Sequence, residues 1–222
     1  MDPHIRVATT ADAAAVRDIY APFCSSSAVT FEETPPTADE MADRIESTLE
    51  QYPWLVAERE DGTVLGYAYA GPLRKRQAYQ WVVELSVYVA ADARQSGVGR
   101  TLYTSLLAVL EAQGFYEAYA VTTLPNPATV AFHESFGFER IVDFPAMGYT
   151  QDEWHDVCWW RYQLSAKETE PEPPTPFPEF RAPAEPPEKD AEGAGDGTGS
   201  ERGTGETTLE SLLDSVVQEP SL

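Results

Sequence analysis

Apolar positions along the first 164 residues recur at two periods, and each switch between them marks a new element. Thr10-Ala11-Asp12 opens a helix whose Ala15, Val16, Ile19 and Tyr20 share one face. Thr37, with Glu40 three residues on, forms a capping box for a second helix running towards Gln51. Residues 54–58 and 63–69 read as two strands joined by a hairpin turn at Asp61-Gly62. A strand over 81–89 follows, then a helix after Gly99 that stops at Gly114, and a strand over 118–123. Asn126 caps a further helix ending near Gly137, and residues 138–142 and 157–163 supply the last strands. Two helices, a meander and a β-α-β-α-β-β end predict an α/β domain with a mixed sheet.

The pattern fails after Leu164. Residues 165–222 are rich in proline, glycine and acid, with 14 acidic against 4 basic side chains, and are expected to form a disordered tail. One stretch, 208–217, departs from this: Leu209, Leu212, Leu213, Val216 and Val217 would line one face of a short helix. Such a helix is too short to stand alone, so it either docks or stays largely unfolded. Nothing in the tail's composition offers a pocket or a catalytic cluster.

A net charge of −22, with only three lysines among 222 residues, makes nucleic acid an unexpected partner. It also matches the acidic, lysine-poor surfaces that stay soluble in high salt, so a halophilic habitat is expected. No apolar run is long enough to span a membrane, and the N-terminus lacks the layout of a signal peptide, which leaves a cytoplasmic location. Cys24 and Cys158 read as small buried hydrophobes. No metal is expected.

The candidate chemistry centres on Arg94-Gln95-Ser96-Gly97-Val98-Gly99-Arg100, between a strand and an amphipathic helix. Two glycines there let the backbone turn and present its N–H groups, while the helix N-terminus adds unpaired donors and a positive dipole end. That combination suits a pyrophosphate. Glu84 lies three residues before Val87 in an otherwise apolar strand, a costly place for a carboxylate without work or a partner. Arg74, Lys75 and Arg76 form a run of cations unusual in so acidic a chain, suited to a carboxylate or phosphinate.

These features together resemble the GNAT acyltransferases, whose acetyl-CoA loop has the form Arg/Gln-x-x-Gly-x-Gly/Ala. Further stretches are similar to the phosphinothricin N-acetyltransferase group: residues 52–58, Tyr69-Ala70-Gly71-Pro72, Ala78-Tyr79-Gln80-Trp81, Leu124-Pro125-Asn126, His133-Glu134 and Trp154-His155-Asp156-Val157. The resemblance covers nearly all of residues 5–164. It implies a mixed, mostly antiparallel sheet flanked by helices, acetyl-CoA as co-substrate and a homodimer. It implies that backbone groups of Val87, Tyr88 and Val89 pair with the pantetheine arm, and that an N–H near Tyr88 stabilises the oxyanion. The amides of residues 94–99 would hold the pyrophosphate, Arg94 and Arg100 its charge, and Asn126 a further cofactor contact beside its capping role. Glu84 matches the proposed general base. His133 fills the slot of a family tyrosine, as a general acid, an aid to the base or a plain helix-surface residue. Phe31, Arg74, Arg76 and Tyr79 would line the acceptor pocket.

The expected activity is transfer of acetyl from acetyl-CoA to the amine of a small anionic amino-acid-like molecule, phosphinothricin or methionine sulfoximine in type. The alternatives are acetylation of a protein or peptide amine, and a CoA-binding scaffold acting through its tail.

Overall fold

Alternation along the strands builds a sheet with two covered faces in the computed structural model, which describes residues 3–181 and 209–218. The strands are β1 (His4–Val7), β2 (Trp54–Glu58), β3 (Val64–Pro72), β4 (Val82–Val89), β5 (Glu117–Leu124), β6 (Glu139–Thr150) and β7 (Glu153–Gln163). They lie in the order β1-β2-β3-β4-β5-β7-β6. Only the β4–β5 pair is parallel, so the sheet is mixed and mostly antiparallel.

Six helices accompany it among the described residues: α1 (Ala13–Ser26), α2 (Ala38–Leu49), α3 (Val98–Ala112), α4 (Pro127–Ser135), α5 (Phe177–Phe180) and α6 (Leu209–Gln218). Successive side chains of a strand point to opposite faces, and β2 shows the consequence. Leu55 and Ala57 join a core with Leu102, Leu106 and Leu110 of α3. Trp54 and Val56 join a second core with Val16 of α1 and Met41 and Ile45 of α2. The capping box at Thr37 and Glu40 starts α2 as its sequence requires, and Gly62 turns the β2–β3 hairpin at φ 81°.

Three elements depart from the sequence reading. β1 is additional: four residues with polar His4 and Arg6 carry too little alternation to stand out, and Arg6 is fixed by ion pairs to Asp12 and Glu58, each 2.7 Å. The last hairpin is much longer than 138–142 and 157–163. Register shifts near Arg140 and between Phe144 and Gly148 interrupt its pattern, and Gln151 and Asp152, both at positive φ, make its tight turn.

The third departure is the tail. Residues 165–181 pack on the domain, so the boundary after Leu164 is placed too early. Phe177 is fully buried in the α3 core. Gln113 and Thr175 exchange two hydrogen bonds of 2.8 Å, and Trp81 Nε1 donates to the Glu172 carbonyl at 2.8 Å. Composition misleads here because a few anchors suffice to fix a proline-rich strap. The amphipathic stretch also docks: Leu213 of α6 is buried, with Leu209 and Leu212 against the α3 core. The remaining tail, 182–208 and 219–222, lies outside the described residues.

A chain ending at Leu164 should therefore be less stable than one ending at Arg181. Loss of the Phe177 anchor alone costs about 3 kcal/mol. Urea unfolding of the two chains measures the difference; coincident midpoints would show that the strap adds nothing.

Candidate active site

Strand β4 holds β3 along its length, with Val83–Val89 opposite Gly66–Pro72, and β5 holds β7 from Glu117 to Leu124. Between them, β4 and β5 pair only from Val82↔Glu117 to Glu84↔Tyr119. Beyond Glu84 the two strands separate, leaving a wedge. The backbone of Leu85–Val89 has no strand partner on that side, so the wedge offers a free edge to one extended, amide-bearing ligand.

The glycine-rich loop closes the wide end of the wedge. After a 3₁₀ turn at Ala91–Ala93, Gln95 (φ 61°) and Gly97 (φ 92°) reverse the backbone. Gly97 occupies the N-cap of α3 without a side chain to cap it. The first intrahelical bond is Thr101 N to Gly97 O, 3.0 Å, so the N–H groups of Val98, Gly99 and Arg100 remain for an anion. A Cβ at Gly99 would touch Val89 Cγ2 at 3.4 Å, so helix and strand approach closely there. Ser96 Oγ is spent on the Ala93 carbonyl (2.6 Å), which shapes the loop. Arg94 folds back towards Val89 O (3.4 Å) and over the Phe23 ring, and Arg100 bonds Ser135 Oγ at 2.9 Å. Both guanidinium groups thus border the loop.

Tyr88 places its ring against Tyr20, Phe23 and Tyr67, and burial raises its phenol well above the usual range. Its side chain is packing and its backbone pairs with Tyr67 of β3, so Val87 and Val89 on either side turn their main-chain groups to the wedge. Asn126 Oδ1 accepts from Thr129 N at 3.2 Å, capping α4 at the end of β5. One position escaped sequence reading. A Cβ at Gly66 would lie 2.8 Å from the Tyr88 carbonyl, so glycine is required where β3 lies against β4; an isolated strand glycine was the available signal.

Glu84 stands at the apex of the wedge. It is half-buried, has no hydrogen bond or ion pair among the described residues, and burial raises its carboxyl above the ordinary value against the pull of Arg74. Arg74 lies over the Trp159 ring at 5.7 Å. Phe31, at φ 54°, lays its ring on Gly148, where no Cβ would fit. Its loop is tied down by Thr123 Oγ1 donating to Ala28 O at 3.0 Å. Phe31, Arg74 and Glu84 therefore belong to one side of the sheet, with Trp159 and Gly148 as neighbours the sequence did not single out. Arg76 is exposed and forms no ion pair among the described residues. Tyr79 lies further along, in a cleft with Trp81 and Tyr119.

His133 goes elsewhere. It is 4% exposed, stacks on Trp160, and engages both ring nitrogens, Nδ1 with Thr129 O (3.0 Å) and Nε2 with Tyr103 Oη (3.2 Å). The carbonyl fixes the proton on Nδ1, so Tyr103 donates to Nε2. Burial pulls its pKa down to about 4. It is not a surface residue but a core histidine joining α4 to α3.

Residues 5–159 match the acetyltransferase (GNAT) domain family. The chain belongs to that family. It is 45% identical to the phosphinothricin N-acetyltransferase of Streptomyces viridochromogenes over 172 residues, 78% of this chain and 91% of the relative. It is 31% identical over 172 residues to the L-methionine sulfoximine/L-methionine sulfone acetyltransferase of Pseudomonas aeruginosa, 77% of this chain and all of that one. A GNAT phosphinothricin acetyltransferase from Sinorhizobium meliloti, solved in complex with acetyl-CoA, superposes with a TM-score of 0.75 at 34% identity. That match covers 82% of this chain and 100% of the other. This GNAT enzyme is accordingly an acetyl-CoA-dependent N-acetyltransferase, and its wedge and uncapped helix start are suited to that co-substrate.

The position of His133 sets a pH dependence. Between about pH 6.5 and 4 the unfolded chain takes up a proton that the folded chain refuses, so stability falls as pH falls through that window. This residue's share is about 3 kcal/mol. Urea unfolding across pH should show a shallower acid limb for His133→Gln than for the parent, whatever the variant's absolute stability. Equal slopes would remove the assignment.

Proposed function

We propose that the chain acetylates the α-amine of a small anionic amino-acid-like molecule, of the kind named for its phosphinothricin and methionine sulfoximine/sulfone relatives. One observation carries the reading: a half-buried, unpartnered Glu84 at the apex of the wedge, under the influence of Arg74. Its raised pKa makes it a better proton acceptor. An amine must be neutral to attack, and Glu84 is placed to take its proton directly or through one water. Arg74 supplies the positive charge for the acceptor's carboxylate, and Phe31 limits its size.

Acetyl-CoA, when bound, supplies the activated acetyl thioester. The chain's part is to hold it: the free edge of Val87–Val89 for the amide-bearing arm, the amides of residues 94–99 for the pyrophosphate, and Arg94 and Arg100 for its charge. Asn126, at the mouth of the wedge, supports a further polar contact. His133 has its nitrogens occupied, so it stays outside this reading.

We also infer a homodimer. Ile141, Phe144, Met147, Tyr149 and Trp154 leave an exposed apolar face on the β6–β7 hairpin, a surface that favours burial against a second copy. Sedimentation should give twice the chain mass, and Met147→Glu should reduce it; a monomeric parent would refute the inference.

Two variants test the site. Glu84→Gln should lower the rate about 10²–10⁴-fold with acetyl-CoA affinity little changed. The deficit should shrink as pH rises and more acceptor amine is already neutral. Gly97→Val, strained at φ 92°, should instead weaken acetyl-CoA binding measured by calorimetry. A near-normal rate for Glu84→Gln at neutral pH would remove the base assignment. Turnover of peptides but not of amino-acid analogues would move the acceptor to a protein amine.

A further inference from the structure

Beside Glu84, a cleft of about 370 Å³ opens next to the paired ends of β4 and β5. Val82 and Tyr119 contribute to it. Val82 lies two residues before Glu84 and so shares its face, and Tyr119 is the register partner of Glu84. Tyr79 and Trp81 add aromatic surface. The other wall is unexpected: it is the tail, through Lys167, Glu168 and Pro171.

Two contacts pin the strap against this cleft. Trp81 Nε1 holds the Glu172 carbonyl at 2.8 Å, and Lys167 Nζ reaches Glu117 Oε1 at 3.0 Å. Glu117, itself buried, also pairs with Arg161 at 2.8 Å and accepts from Tyr119 Oη at 3.0 Å. Its charge is therefore compensated, and the Lys167 charge is committed to it. Glu168 is exposed and makes no ion pair among the described residues, leaving an uncompensated negative charge on the cleft wall. These strap residues lie beyond the 5–159 matched by the family.

We propose that residues 165–172 are a specificity element: they wall a subsite for the acceptor's side chain and select uncharged side chains over anionic ones. The inference rests on Glu84 receiving the α-amine. With the amine at Glu84 and the carboxylate drawn to Arg74, the side chain is left to run over Tyr119 into the cleft. Aromatic rings there favour an apolar or aromatic group, and Glu168 repels a phosphinate or second carboxylate. The anion recognised by this enzyme is then the backbone carboxylate of the acceptor.

The test compares kcat/KM for L-methionine sulfone and L-phosphinothricin in the full-length chain and in Glu168→Gln and Glu168→Lys. The parent should prefer the sulfone. Glu168→Lys should move the ratio towards phosphinothricin about fivefold, the scale of one exposed charge contact, with Glu168→Gln between. The change should sit in KM and fade as salt rises. Turnover of the sulfone with the same ratio in all three proteins would overturn the strap's role alone. Turnover of neither acceptor would overturn the reading of Glu84's substrate, and the subsite with it.

Discussion

The site depends on a competition between strand partners. β5 is committed to β7 over eight residues, and β4 to β3 over seven, so the parallel pair between them holds for only three. Where the pairing fails, a row of backbone groups is left without a strand partner inside an otherwise continuous sheet. Such groups are costly to bury unpaired, and a ligand with its own amides restores the ladder. Glu84 lies at the last paired position. Its depth in the sheet and its closeness to the opening have the same origin.

Separation also divides the labour between the two faces. Odd-numbered residues of β4, such as Val83 and Leu85, are buried with α3, which carries the glycine-rich turn. Even-numbered ones carry Glu84 and Tyr88 to the other side, where Phe31 and Arg74 approach. The glycine-rich turn and the Glu84 carboxylate are therefore set by different layers, yet they meet on one strand. Tyr88 illustrates the economy: its ring fixes α1 through an aromatic cluster while its main chain pairs with β3.

What was legible in the sequence was local. The turn at Gly97, the cap at Asn126, the capping box at Thr37 and the alternation of the central strands are each written within a few residues. Glu84 was legible because a carboxylate among Val, Leu and Tyr violates its own pattern. The strand separation was not legible, since it arises from competing pairings between strands tens of residues apart. The burial of His133 was hidden for a related reason. Its spacing from Asn126 fits a functional slot, but Thr129, Tyr103 and Trp160 converge on it from three elements. The strap was hidden by composition: proline and acid surround Phe177, and nothing local reveals that Gln113, Trp81 and the α3 core await it.

The two ends of the wedge are written in different materials. The wide end is made of main-chain conformation, with Gln95 and Gly97 at positive φ and Gly66 and Gly99 at close approaches. The acceptor end is made of side chains drawn from four separate segments: the loop with Phe31, the one with Arg74, β7 and the strap. Substitutions at the first end alter a backbone that the whole α3 face relies on. Those at the second change individual surfaces, one segment at a time. A lineage carrying this fold can therefore change its acceptor end by small steps while its cofactor end stays fixed.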